Sequence, residues 1–305
     1  WWCGLMRCWI ERTAGKMVRK LLIKPNLSRK NADICTKEVC RILEKMGAEL
    51  FLEDGFREEL AKIPGATFLP AEEAMERCDI CIAIGGDGTI IHAAKAAVSF
   101  EKPVLGINLG RLGFLASLEP DQLELLEKLV SGDYQVENRM MLEVTLEEKS
   151  GRSRSFQALN DAVLSRGQIS RIGDIEIACE GRPVSRYRAD GIIAATPTGS
   201  TAYALSAGGP IVDPLLESIA LTPICPHSLF SRTILFSPNQ EITVQAAEAD
   251  VSPLFLTVDG EEGLPVGEGD RLRIRKSRTS VQLINLMGKR FYEVLNNKLL
   301  GRAYE

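Results

Sequence analysis

From Met17 to about residue 130, short continuous apolar runs alternate with segments whose apolar positions recur every three or four residues. "KLLIKPN" predicts a strand, and "ADICTKEVCRILEKMG" places Cys35, Val39, Ile42, Leu43 and Met46 at helical spacing before Gly47 stops it. "AELFLE" predicts a second strand. "CDICIAIGG" is apolar nearly throughout, as a parallel strand buried on both faces must be. "GTIIHAAKAAVSF" then predicts a helix, "PVLGINLG" a strand, and "PDQLELLEKLVSG" a helix with Leu123, Leu126 and Val130 on one face. This alternation predicts a doubly wound α/β domain whose ligand edge is formed by the carboxyl ends of its strands.

Past residue 135 the period falls to two. "LEVTLEE", "DIEIACEG", "GIIAAT", "RTILFS", "EITVQAA", "PLFLTVDG" and "RLRIRKS" are short alternating segments separated by turn residues, the pattern of a mostly-β domain. The final stretch, "LINLMGKRFYEVLNNKLLG", resumes helical spacing through Phe291, Val294, Leu295 and Leu299. The predicted fold class is therefore α/β plus β: a Rossmann-like N-terminal domain over 17–135, a C-terminal β-rich domain over 136–282, and a helix in 283–305 returning to the first domain. The opening "WWCGLMRCWIERTAGK" has neither the basic start nor the uninterrupted apolar core of a secretory signal, so residues 1–16 read as a disordered extension ahead of a natural start at Met17.

Composition narrows the function classes. A chain of 305 residues with 45% hydrophobic and 26% charged positions has room for two globular domains. The formal net charge of -4 disfavours a nucleic-acid partner, and the basic run "RLRIRKSR" alternates with Leu272 and Ile274, as a strand with a solvated cationic face would. No apolar stretch approaches the ~18 residues that span a bilayer. The eight cysteines are scattered through predicted helices and strands, as reduced thiols of a cytoplasmic protein are. Cys78 and Cys81 form a C-x-x-C inside a predicted strand, without a second pair or a nearby histidine to complete a metal set. His92, on the predicted helix, reads as a packing residue.

The stretch with most chemistry in it is "IAIGGDGTII", residues 82–91. Glycines between a buried strand and a helix permit left-handed torsions and close approach of a ligand, with helix amides directed outward at an anion. No Lys-Ser/Thr follows Gly88, which excludes a Walker A loop, and the aspartate excludes G-x-G-x-x-G. A carboxylate in a phosphate seat repels its ligand unless it holds a metal or accepts a proton from an attacking hydroxyl, so Asp87 points to phosphoryl transfer. Asp54-Gly55, by contrast, reads as a plain turn.

Three more segments have the same character. "GINLGRLGFL" (106–115) again ends a buried strand in glycines. "LNDAVLSRG" sets Asn160 beside Asp161, a pair able to hydrogen-bond vicinal ribose hydroxyls, although such a pair alone is as well explained by a turn. "YRADGIIAATPTGSTAYALSAGGPI" (187–211) combines Asp190, a strand, a run of hydroxyls and free amides, and Tyr203, whose ring offers a flat face to a base or simply an edge to the core.

Taken in order, these motifs resemble the NAD kinase family from Met17 to about Leu300. The glycine-aspartate turn is shared with diacylglycerol-type lipid kinases and phosphofructokinases, but "TPTGSTAY" followed by "SAGGPI", "LTPICPHSLFSR" and "TVDGEEG" is similar to NAD kinases specifically. The resemblance implies a homo-oligomer, dimeric or tetrameric, that phosphorylates the 2′-hydroxyl of the adenosine ribose of NAD using ATP and Mg²⁺. It implies that Asp87 is catalytic and that Gly85, Gly86, Gly88 and Thr89 border the phosphates. It assigns Phe114, Asn160, Asp161, Asp190, Thr198, Thr201, Ala202, Tyr203 and Ser206 to the NAD site, within the β-rich domain for all but Phe114. It assigns no metal ligand. The departure is Phe230-Ser231-Arg232-Thr233, where many relatives carry a Thr-or-Ser, Asn, Arg, Pro run. Polyphosphate as donor and NADH as acceptor stay open, and the competing readings are a lipid kinase and a catalytically silent dinucleotide sensor.

Overall fold

The computed structural model describes residues 19–61, 63–110, 113–167, 173–228, 231–247, 254–288 and 291–299. The predicted extension and the start at Met17 lie outside these residues. The first part of the chain runs β1 (Lys20–Pro25), α1 (Ala32–Lys45), β2 (Glu49–Glu53), α2 (Arg57–Leu60), β3 (Ala66–Leu69), α3 (Ala71–Arg77), β4 (Ile80–Gly85), α4 (Asp87–Val98), β5 (Val104–Asn108) and α5 (Leu126–Ser131). The five strands are parallel in the order β3-β2-β1-β4-β5. All six positions of β4 are buried, because the sheet is covered on both faces. Ile82 and Ile84 pack with Val39 and Leu43 of α1, whereas Cys81 and Ala83 pack with Ile90 and Ala94 of α4.

The α4 stripe of Ile90, Ile91, Ala94 and Ala97 leaves His92 on the opposite, solvent side. The packing role expected of His92 is therefore wrong: its position in the helical period points it away from the sheet. The predicted strand at "CDICIAIGG" begins only at Ile80; Cys78 instead ends α3, and both it and Cys81 are buried. Burial pushes the thiols up, that of Cys78 to about 11.

The second part runs β6 (Gln135–Glu147), β7 (Ser153–Ala158), β8 (Asp161–Arg166), β9 (Gly173–Cys179), β10 (Arg182–Ala189), β11 (Gly191–Ala195), α6 (Tyr203–Ser206), β12 (Ile219–Ile224), β13 (Ile234–Phe236), β14 (Ile242–Ala246), β15 (Leu254–Val258), β16 (Leu264–Val266), β17 (Arg271–Asn285) and α7 (Phe291–Leu299). Six of these form an antiparallel sheet in the order β13-β12-β11-β8-β15-β16. Its Leu164, Ile192, Leu221 and Leu256 pack against Leu142, Val144, Ile177 and Ile274 of the other sheet.

That other sheet crosses the whole molecule. β17 is antiparallel to β14 and β6 along most of its length, shifts register between Lys276 and Ser280, and then pairs in parallel with β5 at Leu283 and Val104. The period-two segment "RLRIRKS" is thus the first half of a strand of 15 residues. "LIN", expected within the returning helix, is its end; the apolar run Leu283-Ile284 fits either period, and sheet pairing decides it. The cations of β17 alternate with buried Leu272 and Ile274, and Arg273 and Arg275 pair with Glu147 and Glu143 of β6.

Candidate active site

The strand order reverses between β1 and β4, and in doubly wound sheets the crevice outside the carboxyl ends at such a reversal is where ligands bind. Gly85 ends β4 and Gly86 is extended, with φ -97° and ψ -177°, before Asp87 opens α4. None of Gly85, Gly86 and Gly88 takes a positive φ, so the expected left-handed torsions are not why they are glycines. Space is the reason at Gly85, whereas at Gly86 a side chain would make only ordinary contact. A Cβ on Gly85 would lie 2.4 Å from Thr89 Oγ1, and one on Gly86 would lie 3.4 Å from Arg29 Nη2. Around Gly88 the space is open.

The turn is held from the end of β1. Asn26 donates its backbone N–H to the Ile84 carbonyl at 2.9 Å and its Nδ2 to Thr89 Oγ1 at 3.1 Å. Arg29 follows three residues later, which brings a guanidinium to the amino end of α4, where helix amides already favour an anion. Neither Asn26 nor Arg29 belongs to the motifs read as site residues; a polar residue directly after the strand nearest the reversal is the signal that would have found them.

Asp87 accepts hydrogen bonds from the amides of Phe114, at 3.1 Å, and Leu115, at 3.4 Å. This explains one glycine of the 106–115 segment: a Cβ on Gly113 would sit 1.9 Å from Asp87 Oδ1. Phe114 lies on Phe291 of α7, with ring centroids 6.3 Å apart, and Phe291 meets Tyr292 nearly edge-on at 5.4 Å. Beside them is a cavity of about 510 Å³ bordered by Phe114, Glu137, Arg139, Asp213, Phe291 and Tyr292, and by none of the glycine-turn residues.

The second group is built around residues 159–161. Thr196 donates its N–H to the Asn160 carbonyl at 2.9 Å and its hydroxyl to the Leu159 carbonyl at 2.6 Å. Thr196 Oγ1 in turn accepts from Gly199 N at 3.0 Å. A 3-10 turn at Thr198–Thr201 leads to α6, which begins at Tyr203 and ends at Ser206. Gly199 is pressed so closely onto this segment that a Cβ would lie 2.0 Å from the Asn160 carbonyl oxygen. Thr201 donates to the Thr198 carbonyl at 3.2 Å, and Tyr203 is half exposed. Arg139, almost fully buried, pairs with Glu137 and reaches Thr198 Oγ1 at 3.5 Å.

Asp259, just past β15, seats the segment. Its carboxylate accepts from Leu159 N at 2.9 Å, Asn160 N at 2.8 Å and Asp161 N at 3.1 Å, while its own N–H donates to the Asp161 carbonyl at 2.9 Å. Lys95 of α4 approaches the same carboxylate at 3.3 Å and Glu261 at 2.6 Å. Asp161 is itself buried, and burial pushes its carboxyl up to about 7, with the Asp259 charge adding to the effect. Asp190 stands apart. It lies before β11, paired with Arg166 at 3.1 Å, whereas Asp161 registers with Ala195 at the strand's other end.

A helix amino terminus with open space at Gly88, a carboxylate docked on that same terminus and a hydroxyl-rich loop beside a neighbouring sheet are the parts of a nucleotide-binding phosphotransferase. The chain belongs to the NAD kinase family: residues 20–134 match the ATP-NAD kinase N-terminal domain and residues 159–286 the ATP-NAD kinase C-terminal domain. The NAD kinase of Caldanaerobacter subterraneus subsp. tengcongensis is 39% identical over 292 residues, covering 93% of this chain and all of its own. That of Symbiobacterium thermophilum is 40% identical over 266 residues, covering 87% of this chain and 93% of its own. Among solved structures, yeast NADH kinase complexed with NADH superposes with a TM-score of 0.83 at 28% identity, over 94% of this chain and 89% of that one. An Archaeoglobus fulgidus NAD kinase in complex with ATP gives 0.70 at 26% identity, over 93% of this chain and 98% of that one.

Proposed function

We propose that this chain transfers the γ-phosphoryl group of ATP to the 2′-hydroxyl of the adenosine ribose of NAD, giving NADP and ADP. The observation that carries the reading is the Asp87 carboxylate at the strand-order reversal, at the first residue of α4, held by the Phe114 and Leu115 amides. In the reaction the ribose oxygen gives its proton to Asp87 and forms a bond to the γ-phosphorus, while the bond from that phosphorus to the β-γ bridging oxygen breaks and its electron pair departs on that oxygen as part of ADP. The α4 amides, Thr89 and Arg29 bind the donor's phosphates. Asn160, Asp161, Thr198, Thr201, Ala202, Tyr203 and Ser206 hold the dinucleotide, with Phe114 beside its adenosine. Asp190, at the other end of β11, stays outside this arrangement within one chain.

Among the described residues no three carboxylate, histidine or cysteine side chains cluster as a metal cage. One carboxylate beside a phosphate seat does fit Mg²⁺, which keeps its waters and is commonly bound through one or two carboxylates and substrate phosphates. Asp87 is the residue that would hold it, and the ion would neutralise charge on the transferring phosphoryl group. No helix among the described residues is long and apolar enough to cross a membrane. The reading is completed by a cytoplasmic homo-oligomer.

Purified protein given NAD and ATP with Mg²⁺ should produce NADP, measured with an NADP-specific dehydrogenase, and NAD alone should raise the Tm by binding the native state. A folded preparation that makes no NADP but phosphorylates a diacylglycerol would overturn the assignment in favour of a lipid kinase. NAD-dependent stabilisation without NADP would instead make the chain a silent dinucleotide sensor.

Gly88→Ala separates a ligand-filled opening from an empty one. Replacing a helical glycine by alanine favours the helix by up to about 1 kcal/mol, and nothing lies within 4 Å of the new methyl. The Tm should therefore hold or rise, while the KM for ATP rises several-fold because the methyl occupies space assigned to phosphate. An unchanged KM would remove the donor from this side of the turn.

A further inference from the structure

The glycine turn and the 159–161 segment belong to different sheets, and phosphoryl transfer needs the acceptor hydroxyl within about an ångström of its productive position relative to Asp87. α4 carries Asp87 at its first residue. Lys95 is eight residues along the same helix, a little over two turns or ~12 Å. From there its ammonium reaches Asp259 at 3.3 Å, and that carboxylate accepts the amides of Leu159, Asn160 and Asp161.

We infer that Lys95 and Asp259 are positioning residues: they lock the segment bearing Asn160 and Asp161 to the helix bearing Asp87, so that the acceptor ribose and the catalytic carboxylate keep one relative placement. This rests on the reading of the site as an NAD 2′-kinase and adds two residues that touch neither substrate in it.

Three features support a dedicated device over an incidental surface pair. The Asp259 side chain is 1% exposed and that of Lys95 19%, so the ion pair is shielded from solvent in a way that ordinary surface bridges are not. Asp259 has φ 50° and is followed by Gly260 at φ 75°, a left-handed pair that turns the chain just past β15 and brings the carboxylate under three successive amides. Finally, Asp161, itself 5% exposed, donates its amide to this carboxylate and so adds a second acid to the same buried space. Lys95 is the cation approaching this pair from α4, and its other partner, Glu261, is half exposed.

The test uses Lys95→Met, Lys95→Arg and Glu261→Gln in the full chain. Lys95→Met leaves Asp259 bonded to its three amides, so the chain should still fold, with a Tm lowered by the loss of a shielded partner. Turnover should fall at least tenfold with the KM for ATP unchanged, and Lys95→Arg should recover turnover to within about threefold, as restoring a cation to a docked geometry would. Glu261→Gln should leave turnover near the parent, since the exposed arm of the pair does no positioning. Lys95→Met with parental turnover and Tm overturns the inference while leaving the kinase reading intact. So does a lowered Tm with unchanged turnover per folded molecule, which marks a purely structural pair. Absence of NADP formation by the parent protein itself is the separate failure, that of the functional reading.

Discussion

Asp87→Asn should lower turnover roughly 10² to 10⁴-fold while leaving the Tm and the affinity for NAD close to those of the parent. The substitution is nearly isosteric, so the turn between β4 and α4 keeps its shape. The asparagine oxygen can still accept one of the two amides that now point at the carboxylate, from Phe114 or Leu115, at a loss of about 1 kcal/mol for the other. What disappears is the negative charge proposed to take the ribose proton. Dinucleotide contacts are assigned to Asn160, Asp161 and the turn from Thr198 onward, on the other sheet, so binding should change far less than turnover. The measurement is single-preparation turnover together with NAD binding by calorimetry. A mutant within about threefold of the parent, well short of that range, would return the glycine turn to a purely structural role.

Much of the parallel sheet was legible because burial on both faces leaves an unmistakable apolar run. "CIAIG" has no polar position, and every residue of β4 is buried. Asp87 stands out in the sequence for a chemical reason, since a carboxylate among glycines at a strand–helix junction is costly beside a phosphate unless it takes part; its place at the start of α4, held by two loop amides, agrees with the junction read there. What stayed hidden depends on contacts far apart in sequence. Nothing in "GRLGFL" says that Gly113 is bare because Asp87 Oδ1 would sit 1.9 Å from its Cβ. Asp259-Gly260 looks like any turn dipeptide, and it is one; that its carboxylate seats residues a hundred positions earlier is a property of sheet pairing between β8 and β15.

β17 shows the same limit at the level of an element. Its first half was read correctly by period, but its second half carries adjacent apolar residues, Leu283 and Ile284, that a helix would accept equally well. The parallel pairing with β5 settled it, and no local pattern encodes that partner. The reason given for the turn glycines failed differently: none has left-handed torsion, and steric closeness to Thr89 is what the fold requires at Gly85.

Gly113→Ala should cost turnover about 10²-fold by moving a carboxylate it never bonds. A methyl carbon and a carboxylate oxygen need well over 3 Å between them, and the added Cβ would be 1.9 Å from Asp87 Oδ1 and 2.7 Å from Cγ. Either the Asp87 side chain rotates out, losing the Phe114 and Leu115 amides, or the loop retreats with those amides on it. Both displace the proposed proton acceptor by an ångström or more. Forced overpacking of this kind also destabilises, by about 1–3 kcal/mol, so the Tm should drop where that of Asp87→Asn does not. Gly55→Ala is the matched control, because nothing lies within 4 Å of its Cβ and its φ is not positive; it should leave turnover unchanged. The decisive measurement is the double mutant. If Gly113→Ala acts through Asp87, adding it to Asp87→Asn should lower turnover by no more than a few-fold further, because residues acting as one unit are strongly non-additive. Independent, multiplying losses would show that the 113–115 loop contributes to the reaction by a route other than holding Asp87.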